Sequence, residues 1–293
     1  MSRSCFYILL STILALPLAA ALAQEPTASV EILATFDYPR PGTTDTTAWG
    51  INNNGVVAGT FTWKQHEHGY LRNANGGFGP AITASPTART YLQSINIDGL
   101  LAGWSSDTNG EHGFFFQDGI VTPYDVPNST ATIIYGLNDG GDFTGLYTSS
   151  GVTLPFANFG GSIINPAPAD AEFTWPFAIN NHQEIAGYYD DGSSGTHGFF
   201  RHRNGSVVAP IDYPRTSDTQ FLGLNDHGTL VGVWYDSHAL SHGLILRNLS
   251  EFTSFDVTGA VQTILTGINN SNIICGFYYT ANGGSGFIGR LKQ

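Results

Sequence analysis

Cysteine is nearly missing from this chain of 293 residues, which contains only Cys5 and Cys275. Charge is scarce as well, at 12% of residues, and its basic part is scarcer still: 11 Lys and Arg face 23 Asp and Glu. The formal net charge of -12 gives a field that repels phosphate backbones and anionic headgroups, which excludes nucleic acid as a partner. Long apolar runs are absent except for one, Phe6 to Leu18. It follows the positive Arg3 and precedes Ala21-Leu22-Ala23, the small-x-small pattern that signal peptidase cuts. Residues 1–23 are therefore expected to be a signal peptide and 24–293 the mature chain, exported to the periplasm or beyond, with no membrane association after cleavage. Cleavage takes Cys5 with it, so no intramolecular disulfide forms and the fold holds by burial alone.

The familiar catalytic signatures are missing too. There is no Gly-x-Ser-x-Gly elbow, no His-Glu-x-x-His helix and no phosphate-binding Gly loop. No catalytic residue, cofactor or metal ligand set is assigned.

What the chain has in quantity is glycine, 36 residues, and aromatics at 13%. That is the profile of a turn-rich β protein and not of a disordered one. The glycines fall in register. Asn52, Asn96, Asn138, Asn180, Asn225 and Asn269 each follow an aliphatic residue, at spacings of 44, 42, 42, 45 and 44. Seven residues after each comes glycine: Gly59, Gly103, Gly145, Gly187, Gly232 and Gly276. Five after is always large and apolar, from Val57 to Ile274, and six after is small or β-branched, from Ala58 to Cys275. Two after the glycine an aromatic recurs, as Phe61, Tyr147, Tyr189, Trp234 and Tyr278, with Ser105 the exception. Each unit thus reads strand, tight Asn/Asp/Gly turn, strand.

A third strand opens at His-Gly (His68, His112, His197, His242), reduced to Pro155-Phe156 and Gly286-Phe287 in units three and six. A fourth carries Asp37, Asp125, Asp212 or Asp256 after an aromatic or Ile, with divergent equivalents near Ile82 and Ile164. A fixed period of this length marks a repeat architecture. The inner strands are apolar or small on both faces, as radially packed blades require. The chain ends after a third strand, and an orphan fourth strand near Phe36 follows the leader. The expected fold is all-β: one six-bladed β-propeller of four-stranded antiparallel blades, the N-terminal strand completing the last. Gly50, Ser94, Gly136, Ala178, Gly223 and Gly267, two before each asparagine, are expected where the six strands crowd the axis.

These units resemble the extracellular HAF-repeat family, whose repeats run Gly-Ile-Asn, Gly, Val-Val-Gly, His-Ala-Phe. Nearly the whole mature chain takes part, departing by His-Gly for His-Ala and by the lost histidines of units three and six. The resemblance implies export and a propeller-like scaffold, and it brings no catalytic residue.

In such a ring the inter-blade loops and the loops between second and third strands share one face. The first set carries Arg40, Arg89, Glu172, Arg215 and Asp218, the second Trp63, Lys64, His66, Glu67, Asp107, Asp190, Asp191 and His238. From these, Arg40, Trp63, His66, Glu67, Arg89, Asp190, Asp191, Arg215 and His238 are the candidate ligand-binding residues. The expected function is a monomeric secreted binding module for a carbohydrate or a protein partner; the alternative is a lyase or glycan hydrolase at the axial mouth. The repeated histidines are expected to bond to a neighbouring turn, as in WD-type blades, and the Asn138–Asp142 turn to need no calcium.

Overall fold

The repeated asparagine makes the turn that starts each blade. In Asn52 the side-chain Oδ1 accepts the N–H groups of Asn54 (3.1 Å) and Val56 (3.0 Å), closing the hairpin on itself. The same pair of bonds recurs at Asn96, Asn180, Asn225 and Asn269. The amide Nδ2 points the other way, to the next blade. Asn52 donates to the carbonyl of Asn96 (3.0 Å), Asn138 to Asn180 (3.1 Å), Asn180 to Asn225 (3.3 Å) and Asn225 to Asn269 (3.2 Å). Asn269 donates back to Asn52 (3.0 Å), which joins the last unit to the first. All six asparagines are buried, so the side chain that shapes the hairpin also ties blade to blade around the axis.

The structure, a computed structural model, describes residues 30–292 except 194, 215 and 217. The signal-peptide assignment lies outside the described residues. Within them the protein is a six-bladed β-propeller without helices. Blade one has strands Thr43–Ile51, Val57–Trp63 and His66–Arg72. Its fourth strand is reduced to two isolated bridges, Gly69 to Ile82 and Arg72 to Phe78. Blades two to five are four-stranded antiparallel meanders, with inner strands Arg89–Ile95, Ala131–Leu137, Phe173–Ile179 and Thr219–Leu224. Blade six has Gln262–Ile268, Ile273–Thr280 and Gly283–Leu291 from the C-terminal end, and Val30–Phe36 from the N-terminal end as its outermost strand. That last pairing closes the ring, with Thr35 opposite Phe287 and Phe36 opposite Gly286.

The repeated glycine has a steric reason. Each inner strand carries a bulge three residues before the asparagine: Trp49 is extra between the pairs Ala48–Gly59 and Gly50–Ala58, and Tyr135 between Ile134–Gly145 and Gly136–Thr144. The bulge drives a carbonyl oxygen into the partner strand. A Cβ at Gly59, Gly145, Gly187 or Gly276 would collide with the carbonyl of Thr47, Ile133, Trp175 or Ile264. Only glycine fits there. The axial crowding expected from the small residues is present as well: a Cβ on Gly50 would meet Ser94 Cα at 2.9 Å, and one on Gly223 would meet Gly267 Cα at 2.9 Å.

A second ring is made of threonines. Thr46, Thr90, Thr132, Thr174, Thr219 and Thr263 stand six before each asparagine, and all are essentially fully buried. Five of them accept the N–H of the incoming inter-blade segment on Oγ1, from Tyr38, Ala84, Val126, Tyr213 and Val257 at 2.9–3.0 Å. The sixth, Thr174, has no partner for its hydroxyl. Six residues before it the chain has buried Pro168, which carries no N–H to donate.

Candidate functional site

The meander puts the loops between second and third strands and the inter-blade loops on one face, here the top, and the asparagine hairpins on the bottom. The bottom mouth of the axis is satisfied polar structure. The N–H groups of Ile97, Asp139, Asn181, Asp226 and Asn270 are accepted by the side chains of Asp139, Asn181, Asp226, Asn270 and Asn53 in turn, at 2.7–2.9 Å. In the 138–142 turn, both Asp142 oxygens receive N–H groups, from Gly160 and from Asn138 and Gln183. These carboxylates serve as turn and inter-blade acceptors.

The top of the axis is different. The bulge aims the extra residue of each inner strand at the axis, and the six are Trp49, Gln93, Tyr135, Phe177, Leu222 and Thr266, around a narrow cavity of about 90 Å³. Aromatic side chains of the strands above extend this lining. Tyr135 stacks on Phe177 (centroids 4.2 Å apart), Phe177 on Tyr188 (5.7 Å) and Tyr188 on Trp175 (4.7 Å), with Phe173 against Trp175 (4.3 Å). Tyr91 stacks on Trp104 at 4.0 Å on one side of this run, and Trp49 packs with Phe277 at 5.4 Å across from it. Trp104, Tyr135 and Phe277 are buried beneath, while Trp49, Tyr91, Phe173, Trp175, Phe177 and Tyr188 are half-buried. The upper axial mouth is therefore a shallow aromatic bowl shared by several blades.

A polar rim stands around it, built mainly by the residue just before each repeated histidine. Glu67 pairs with Arg89 of the next blade at 3.4 Å, and the Tyr91 hydroxyl lies beside both. Thr196 donates to Asp218 and receives Gln220 Nε2, and Ser241 donates to Gln262. Glu111 is the blade-two equivalent. Burial pushes its carboxyl up from the usual range, and its field acts on Tyr135, whose buried hydroxyl has no partner. Burial likewise raises the Tyr188 hydroxyl, with Tyr235 and Asp218 adding to the effect, so these groups share one neighbourhood.

The sequence-derived candidates divide among four blades. Arg40, Trp63, His66, Glu67 and Arg89 cluster on the top of blades one and two, where the Arg40 guanidinium lies 3.4 Å over the Trp63 ring and His66 stands opposite Trp63 in the strand pair. Asp190 and Asp191 sit on blade four and are taken up by their own turns, accepting from Gly192 and Ser193. His238, largely exposed on blade five, lies 3.6 Å from Asp236. Arg215 lies outside the described residues. Of the eight described candidates, only Glu67 and Arg89 reach the aromatic bowl, beside Tyr91. The bowl itself was missed, because its residues sit on strands whose repeated partners include Gln93, Leu222 and Thr266 and so show no common type.

The repeated histidines do not converge. They bond within their own blades, and to the repeated aspartates: His112 to Asp125 (2.9 Å), His197 to Asp212 (3.0 Å) and His242 to Asp256 (2.8 Å). Blade one lacks the aspartate, and there His68 meets Thr83 at 3.4 Å. The repeated aromatic covers the imidazole, as Phe61 over His68 and Trp234 over His242. Among the described residues no three His, Cys, Asp or Glu side chains are grouped to hold a metal ion. Cys275 is fully buried, its thiol pushed up to about 12 by burial, and packs near the ring seam.

No protein-family model matches the chain, and no curated protein does. Solved structures match in fold. The chain is similar to a putative TolB from Agrobacterium tumefaciens at 14% identity and a TM-score of 0.57, over 73% of this chain and 81% of that one. TolB from Acinetobacter baumannii gives 12% identity and 0.52, over 84% and 65%. Virginiamycin B lyase from Staphylococcus aureus gives 13% and 0.47, over 83% and 95%. Identities this low speak for the propeller fold alone.

Proposed function

We propose that the protein is an exported binding module of the HAF-repeat kind, with a glycan lying across the upper axial mouth. The aromatic bowl carries this reading. The half-buried rings of Trp49, Tyr91 and Trp175 offer apolar surface for the C–H faces of sugar rings, and the Glu67–Arg89, Asp218 and Gln262 rim offers donors and acceptors for hydroxyls. The rings are locked against one another, so little side-chain entropy is lost when a ligand settles on them.

A glycan array followed by titration calorimetry on the strongest hit tests this. Trp175→Ala is expected to weaken binding by at least about tenfold, the order of one lost aromatic contact. Unchanged affinity in that variant, or saturable binding only to a protein partner, would overturn the glycan reading. The alternative is a lyase or glycan hydrolase at the axial mouth, for which Glu111 is the rim carboxyl to test as the acid, since it is half-buried there and burial pushes it up from the usual range. Turnover that disappears in Glu111→Gln while binding stays would establish it.

A further inference from the structure

The six-fold pattern breaks in two ways, and both breaks fall at one place on the bottom face. Blade one alone has its fourth strand reduced to two bridges. The acceptor ring at the lower mouth is interrupted at Ile97, the one apolar residue where the other units place Asn53, Asp139, Asn181, Asp226 and Asn270. Both irregularities line a single groove of about 530 Å³ between blades one and two. That volume lies within the range of small-molecule sites, and it dwarfs the axial cavities of about 90 and 70 Å³.

The walls are mainly apolar: Val56, Leu71 and Ile82 on one side, Ile97, Leu101 and Phe116 on the other. The rim contributes the exposed carboxylates of Asp98 and Asp118 together with neutral amides, and among the described residues no Lys or Arg lines the groove. Two of the rim amides are already engaged, Asn54 with the Ile97 carbonyl (3.3 Å) and Gln117 with the Asp98 carbonyl (3.1 Å). An occupant therefore meets apolar walls and a negative rim, within a chain whose whole field is negative.

We propose that this groove is a binding site for a small apolar molecule carrying an ammonium group, its hydrocarbon body between the blades and its cation at Asp98 and Asp118. The site lies on the face opposite the aromatic bowl and stands independently of the glycan reading. A fragment filling such a slot gains from burial of its apolar area, and the rim carboxylates then select the sign of its charge.

The test uses three probes of one shape, 2-naphthylmethylammonium, 2-naphthylmethanol and 2-naphthoate, titrated into the purified protein and followed by NMR shifts. The ammonium is expected to saturate in the millimolar range or tighter and to bind at least about fivefold better than the carboxylate. Shift changes should map to Leu71, Ile97 and Phe116. Asp98→Asn with Asp118→Asn should remove the charge preference while leaving the neutral alcohol's affinity unchanged. Ile97→Trp, which fills the slot, should abolish binding of all three probes with the melting temperature retained. Equal binding of ammonium and carboxylate, shifts confined to the top face, or no saturation by any probe would overturn the proposal; should Ile97→Trp not fold, the aspartate pair and the shift map decide it.

Discussion

At the scale of single residues, the threonine ring shows how one side-chain oxygen holds a blade junction. Thr219 Oγ1 accepts the Tyr213 N–H at 2.9 Å in a buried setting, so Thr219→Val leaves that N–H without a partner. The expected cost is about 1–2 kcal/mol. Thr174 has the same position and burial but no partner, since Pro168 precedes it. Thr174→Val should stay within about 0.5 kcal/mol of the parent, or stabilise it. Urea denaturation of the two variants side by side checks this, and equal losses would remove the ring's assigned role. Gly187→Ala belongs to the severe end of the scale, because its Cβ would collide with the Trp175 carbonyl. The Thr position was legible in the sequence, six out of six at one offset, yet threonine is common in strands and its hydroxyl partner comes from the chain between blades.

At the scale of the element, the histidine and aspartate series are one device: a third-strand imidazole clamped to the fourth strand. The sequence displayed both series but not their union, because the pairing partners lie on different strands and only the register brings them together. In blade five the Asp256 hydrogen bond holds the His242 imidazole above its usual value, with Asp236 adding to the effect and burial opposing it. A histidine pKa raised by folding contributes stability that is fully present below the unfolded value of about 6.5 and lost as pH rises through the folded value. Asp256→Asn should therefore be less stable than the parent at pH 5.5 to 6, with the gap narrowing toward pH 8. Thermal unfolding across that range is the measurement, and a gap that widened with pH would contradict the pairing. His68, with no aspartate beside it, is shifted down by burial and by Arg40, so its blade behaves in the opposite sense.

At the scale of the whole molecule, closure depends on the strand from the far end of the chain. Val30–Phe36 pairs along Gly283–Leu291; Val30 packs with blades five and six, and Phe36 with blades six and one. Deleting residues 30–36 removes a whole outer strand with the partly buried Val30 and Phe36, whose burial contributes up to about 1.5–3 kcal/mol each. In a domain of this size that lowers the melting temperature by roughly 10 °C or more. It also bares the edge of Gly283–Leu291, so the truncated chain should self-associate through that edge. Calorimetry and light scattering of the truncated chain check both; a monomer with unchanged melting would show that the ring does not rely on this seam.

The amino-acid sequence by itself determined the number of blades, the hairpin turns, the glycines and the closing strand. Each of these rests on short-range sterics and on side-chain bonds to the local backbone, repeated at one offset six times over. Tertiary structure alone decided where the molecule departs from its own symmetry. The aromatic bowl exists because bulged residues of unlike type meet at the axis, and the lower groove exists because one blade lacks a formed outer strand next to Ile97. Such sites are assembled from residues of different blades, and proximity across blades is set by the curvature of the ring and leaves no period in the chain.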